Sequence, residues 1–135
     1  MKRNFEIIPA RPVQYTQFFA MSPEKDVENR CIGHVRMDFG HNGTEFWTTW
    51  HKRGPEEWND TVFKAELTAV VDFLRESVLK DFPSMIRFCS ENGGEIDGGW
   101  VQNYGYIVET ENFRFFLRCN PVQGDYQAYL TCFKK

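Results

Sequence analysis

Between residues 104 and 133 apolar side chains recur at every second position: Tyr106 and Val108, then Phe113, Phe115 and Leu117, then Ala128 and Leu130. Such spacing suits half-buried strands and defeats a helix, whose apolar positions return every three or four residues. Glu111-Asn112 and Pro121-Val122-Gln123-Gly124 interrupt the alternation with turn chemistry. The segment is therefore expected to form a three-stranded antiparallel meander, with strands over 104–110, 113–120 and 125–133. Pairing Thr110 with Phe113 and Asn120 with Asp125 puts Tyr106, Val108, Phe115, Leu117, Ala128 and Leu130 on one face, which needs a cover. The reverse face then carries three cross-strand rows: Gly105, Arg118 and Gln127; Ile107, Phe116 and Tyr129; Glu109, Arg114 and Thr131.

The middle of the chain supplies the cover. Phe63, Leu67, Val70, Val71, Leu74 and Val78 recur at helical spacing behind a cap at Asn59 or Asp60. They predict a helix of about five turns that ends before Pro83. Ser84 can open a second, shorter helix through Met85, Ile86, Phe88 and Cys89, closed by Gly93-Gly94. Upstream, Cys31, Gly33, Val35, Met37 and Phe39 alternate with Ile32, His34, Arg36 and Asp38, and Gly40-His41-Asn42-Gly43 leads into a partner strand over 44–50. If Phe39 faces Thr44, then Met37 faces Phe46 and Arg36 faces Trp47. Pro9, Pro12 and Pro23 suggest a strand near residues 5–8 followed by an irregular arm, and residues 95–103 read as a polar, glycine-rich loop. The expected fold is α+β: an antiparallel sheet of five or six strands, built from the early hairpin and the late meander, with two helices on one side. A single domain spans 1–135, with 1–30 as strand and arm and 31–133 as core.

With 135 residues the chain has room for one core and hardly for two. Lys and Arg total 16 against 19 Asp and Glu, and a net charge of -3 argues against a broad basic face for duplex nucleic acid. No segment approaches the ~20 apolar residues of a membrane span, and the first residues lack the apolar run of a signal peptide, so a cytoplasmic protein is expected. Cys31, Cys89, Cys119 and Cys132 show no Cys-x-x-Cys spacing and read as buried thiols rather than disulfides or zinc ligands. The 13 Phe, 4 Trp and 5 Tyr exceed ordinary usage and require a strand-rich core or a stacking surface.

A nucleotide ligand calls for a guanidinium fork on phosphate, rings against the base, and amides or carboxylates at the ribose. Arg118 stands beside Gly105, near Phe116 and Tyr129, and next to Asn120 and Asp125. All three requirements meet there, and the glycine is expected to leave room over the sheet. Each residue alone also fits a plain role: Arg118 stacked on aromatics in a subunit interface, Glu109 and Arg114 as a cross-strand pair. Only the combination favours a ligand or an oligomer interface. Arg36 with Trp47 is a second anion-and-ring candidate or a simple cation–π pair. Arg87, beside Phe88 on the second helix, either points toward Trp100 and Asn103 or lies exposed. His34, His41 and His51 lack a metal-ligand spacing, no Ser sits in a nucleophile elbow, and residues 93–99 lack the Lys-Ser or Lys-Thr ending of a phosphate loop. Glu95 and Asp97 fit solvated loop carboxylates better than an acid–base pair. A binder without catalytic residues, metal or cofactor is expected.

Four segments carry a resemblance: Val35-Arg36-Met37-Asp38-Phe39-Gly40, Glu45-Phe46-Trp47-Thr48-Thr49-Trp50, Met85-Ile86-Arg87-Phe88-Cys89, and Leu117-Arg118-Cys119-Asn120-Pro121 with Gly124-Asp125-Tyr126. Over residues 31–133 the chain resembles small proteins of phages, prophages and mobile elements, and is similar to the anti-Thoeris sponge proteins. Those bind the cyclic ADP-ribose signal of TIR-domain enzymes and hold it without cleavage. The resemblance implies a homo-oligomer, dimer or hexamer, with recessed pockets of aromatic rings, asparagines and arginines between protomers. It also implies capture of cyclic oligonucleotide signals, as in CBASS defence, at a separate site. By position Arg118 corresponds to a phosphate-binding arginine, with Phe88 and Asn103 as further positions, while residues 1–30 match nothing in the family. The rival expectations are a protein-binding inhibitor of a host defence complex, anti-CRISPR-like, and a hydrolase acting on the same messengers.

Overall fold

The computed structural model describes residues 8–14, 31–40, 45–52, 61–92, 95–97, 100–102, 104–119 and 126–135. In chain order the elements are β1 (Ile8–Gln14), β2 (Cys31–Asp38), β3 (Trp47–Lys52), α1 (Thr61–Glu76), α2 (Phe82–Asn92), β4 (Glu95–Asp97), β5 (Trp100–Gln102), β6 (Tyr104–Glu109), β7 (Phe113–Cys119) and β8 (Ala128–Lys134). Six strands form one sheet in the order β1-β6-β7-β8-β2-β3, antiparallel at every junction. The meander lies at its centre, with the hairpin β2–β3 docked on β8. This is the expected α+β architecture.

One face of the sheet carries the core. Val35 and Met37 of β2, Val108 of β6, Phe115 and Leu117 of β7, and Leu130 of β8 are all fully buried. They form one cluster with Phe63, Leu67, Val70 and Leu74 of α1 and Met85 and Phe88 of α2, so both helices cover the same face. Each fully buried Leu or Phe contributes about 1.5–3 kcal/mol from apolar surface removed from water. α1 ends at Glu76, a turn earlier than expected. Ser77 Oγ donates to the Phe73 carbonyl at 2.6 Å, and Leu79 N–H reaches the Leu74 carbonyl at 2.7 Å, tucking Leu79 into the core. Pro83 is not the terminator. Asp81 caps α2, its Oδ1 accepting the Ser84 N–H at 2.8 Å, and Pro83 sits in the first turn, where a missing N–H costs nothing. The cap expected at Asn59 or Asp60 falls outside the described residues.

Several boundaries and registers differ from expectation. β1 covers residues assigned to an irregular arm, because an edge strand tolerates Pro9 and Pro12, and its register against β6 breaks between Ile8 and Arg11. Residues 5–7 lie outside the described residues. In the hairpin Asp38 pairs with Trp47 and Arg36 with Thr49, a slide of two residues from the expected pairing of Arg36 with Trp47. Asp38 Oδ1 accepts the Gly40 N–H at 2.9 Å and turns the chain out of β2, with Gly40 at φ 68°, so Phe39 leaves the ladder and packs its ring on Phe46 at 5.4 Å. A bulge between Cys31 and Gly33, with Gly33 at φ 140°, carries Ile32 into the core although strict alternation puts it on the reverse face. β7 and β8 also slide by two: Cys119 pairs with Ala128 and Phe113 with Lys134, so both strands are paired over their whole length. The Thr110–Phe113 end of the β6–β7 hairpin is as expected. Residues 95–97 and 100–102 pair as a small separate hairpin rather than lying in a loop. Among the described residues no helix is long and apolar enough to cross a membrane.

Candidate functional site

Because a slide of two residues preserves the face of every side chain, the reverse face keeps its membership but changes its neighbours. Arg118 is opposite Gly105 on one side and Tyr129 on the other, and Tyr129 in turn is opposite Arg36 of β2. The sequence pairing had separated these residues, with Arg118 beside Gln127 and Arg36 beside Trp47. In the structure Arg118, Tyr129 and Arg36 occupy one row across β7, β8 and β2. Two strand spacings of about 4.8 Å set the arginine backbones about 10 Å apart.

All three side chains are half-buried, within reach of solvent. Arg118 Nε donates to Thr131 Oγ1 at 3.3 Å, and its guanidinium carbon lies 5.5 Å from the centre of the Tyr129 ring. Tyr129 donates its hydroxyl to Gln127 Oε1 at 3.3 Å and meets the His34 ring edge-on at 5.8 Å. These contacts orient the ring against Arg118 and His34. Arg36 Nε forms an ion pair with Asp38 Oδ2 at 3.6 Å, and among the described residues this buried nitrogen has no hydrogen-bond partner. Arg114 differs: it binds Glu109 at 2.7 Å, with Lys135 3.7 Å from the same carboxylate, which is the cross-strand pair considered from sequence.

The remaining candidates distribute unevenly. Phe116 lies in the next row of the same face, between Ile107 and Thr131, but is fully buried and offers no ring surface for stacking. Phe88 is on α2, on the core face of the sheet, 2% exposed and stacked on Tyr106 at 5.8 Å. It does not join Arg118. Arg87 is exposed on α2, where its charge helps hold the nearby Asp81 carboxyl below its ordinary value, after the larger effect of the hydrogen bonds from Ser84. Asn103, Asn120 and Asp125 lie outside the described residues, as does the side chain of Trp47. Gly105 does not open space for a ligand. A Cβ there would overlap the Leu117 carbonyl oxygen and lie 2.9 Å from its carbon, so the glycine serves the close approach of β6 and β7.

Thr131, Gln127 and His34 complete the surroundings of the row. The contacts of Thr131 and His34 depend on register, which alternation alone does not report, whereas Gln127 reaches Tyr129 along the same stretch of chain. Among the described residues no three His, Cys, Asp or Glu side chains are grouped to hold a metal ion. Comparison of the chain with protein-family models, with curated proteins and with solved structures finds no match.

Proposed function

We propose that the protein binds a phosphate-bearing nucleotide on the reverse face of its sheet and acts by holding it rather than converting it. The observation that carries this reading is the row in which Tyr129 stands between Arg118 and Arg36. An arginine on either side of one tyrosine in a single cross-strand row suits a ligand with separated anionic oxygens and a planar base. Retention needs burial and pre-organised donors but no general base. Within that class, the resemblance to anti-Thoeris sponges points to cyclic ADP-ribose isomers, and to cyclic oligonucleotides at a second site. The protein would then be an anti-defence factor acting as a homo-oligomer in the cytoplasm of an infected bacterium.

The test is capture and release. Protein is incubated with cyclic ADP-ribose isomers and with cyclic di- and trinucleotides, removed by filtration and denatured, and both fractions are analysed. Depletion followed by release of intact ligand supports sequestration. A charge-assisted contact is worth about 1.5–3 kcal/mol, so folded Arg118→Ala should bind about 10- to 150-fold more weakly. Capture by that variant equal to the parent's overturns the assignment. A chemically altered ligand favours the hydrolase, and no depletion favours the protein-binding inhibitor.

A further inference from the structure

Cys89 on α2 and Cys119 at the end of β7 are distant in sequence yet close enough in the fold for each thiol to perturb the ionisation of the other. An independent contact places Cys89 at the same spot: its Sγ lies 3.6 Å from the Gln127 carbonyl oxygen, one residue before Ala128, the β8 partner of Cys119. Both are free thiols, Cys119 buried and Cys89 half-buried. Cys132 is fully buried, paired across from Phe115, with its Sγ against the Leu130 carbonyl at 3.6 Å. We propose that Cys89 and Cys119 form a peroxide-oxidisable pair that closes into a disulfide tying α2 to β7.

The two thiols divide the chemistry by environment. The hydrogen bond from Cys119 holds the Cys89 thiol below its ordinary value against the opposing effect of burial, so Cys89 is the group that ionises. Cys119 is pushed up, first by its hydrogen bond to Cys89, then by burial and by the Cys89 charge, with Arg118 opposing. Cys89 thiolate attacks one oxygen of hydrogen peroxide, the O–O bond breaks, and hydroxide leaves to take up the proton that Cys89 lost. Cys89 is then a neutral sulfenic acid, and the charge that raised Cys119 is gone. Cys119 sulfur attacks the Cys89 sulfur, the S–O bond breaks as the S–S bond forms, and hydroxide leaves with the Cys119 proton as water. Two thiols and one peroxide thus give one disulfide and two waters, with two electrons passing from sulfur to oxygen.

The experiment treats the full-length folded protein with hydrogen peroxide, alkylates residual thiols and maps the peptides without reduction. The expected result is loss of two hydrogens from the intact mass and a cross-linked peptide pair containing Cys89 and Cys119, reversed by dithiothreitol. Cys119→Ser should instead accumulate a Cys89 sulfenic acid trapped by dimedone, and Cys89→Ser should form no cross-link at Cys119. Complete alkylation of both thiols after treatment overturns the proposal. So does a disulfide that joins either residue to another cysteine, or a parent protein that stops at the sulfenic acid.

Discussion

Replacing Glu66 tests how the helical layer is fastened to the meander. This carboxylate is fully buried on α1, and both oxygens accept from one residue in the β6–β7 turn: Oε1 from the Asn112 backbone N–H at 3.1 Å and Oε2 from Asn112 Nδ2 at 2.9 Å. The turn needs this support. Two-residue hairpin loops ordinarily use positive φ, and neither Glu111 nor Asn112 has it. Thr110 instead bridges the strand ends, its Oγ1 accepting the Phe113 N–H at 3.2 Å and donating to the Phe113 carbonyl at 3.3 Å. A hydrogen bond to a charged group contributes about 1.5–3 kcal/mol, and the exposure of Asn112 puts each of these two at the lower end. With the buried Cγ methylene lost as well, Glu66→Ala should cost about 4 kcal/mol. Glu66→Gln keeps the volume and one acceptor but turns an amide against a donor, and should cost about 2 kcal/mol. Urea unfolding followed by far-ultraviolet circular dichroism measures both. A double-mutant cycle with Asn112→Ala isolates the Oε2 contact, and a coupling energy of about 1.5 kcal/mol is expected. Coupling below about 0.5 kcal/mol, within the range of independent sites, would refute the claim that this bond secures the turn.

Three further outcomes follow from other contacts. Gly105→Ala should destabilise the sheet by about 2 kcal/mol or more, because the Leu117 carbonyl occupies the place of the new methyl; unchanged urea stability would contradict that packing. The Asp81 cap should be fully effective above the ordinary carboxyl value of 3.8 and lost as pH falls through the lower folded value. Asp81→Asn should show a flatter pH dependence of thermal unfolding below pH 3.8, since Asn caps without titrating in that range. Tyr129→Ala should weaken nucleotide capture while Phe116→Leu lowers stability and leaves capture intact, because only the first ring is within reach of solvent; the reverse pattern in paired binding and unfolding measurements would place the stacking surface elsewhere.

Alternation makes the faces of the sheet legible from the sequence alone, because a side-chain period of two assigns each residue to one side whatever its partner strand does. Register was not legible where connections could lengthen. In β6–β7 only Glu111-Asn112 separates the alternating runs, and the expected pairing is the observed one. In β2–β3 and β7–β8 the chain leaves the ladder earlier than the turn residues suggested, at Asp38 and at Cys119, and both pairings slide by two. The first exit depends on the Asp38 carboxylate reaching the Gly40 N–H, a local hydrogen bond that competes with the strand. Glycine misled for a different reason: at Gly105 sequence reports the missing side chain but not that a neighbouring carbonyl fills its place. The candidate site was half legible. Arg118, Tyr129 and Arg36 were all expected on the reverse face, yet as parts of two constellations, and the β8 register that puts Tyr129 opposite both arginines makes them one. An even slide leaves the hydrophobic accounting unchanged, so core packing alone discriminates poorly between these registers, and the cross-strand contact of Arg118 with Thr131 helps to hold the one observed.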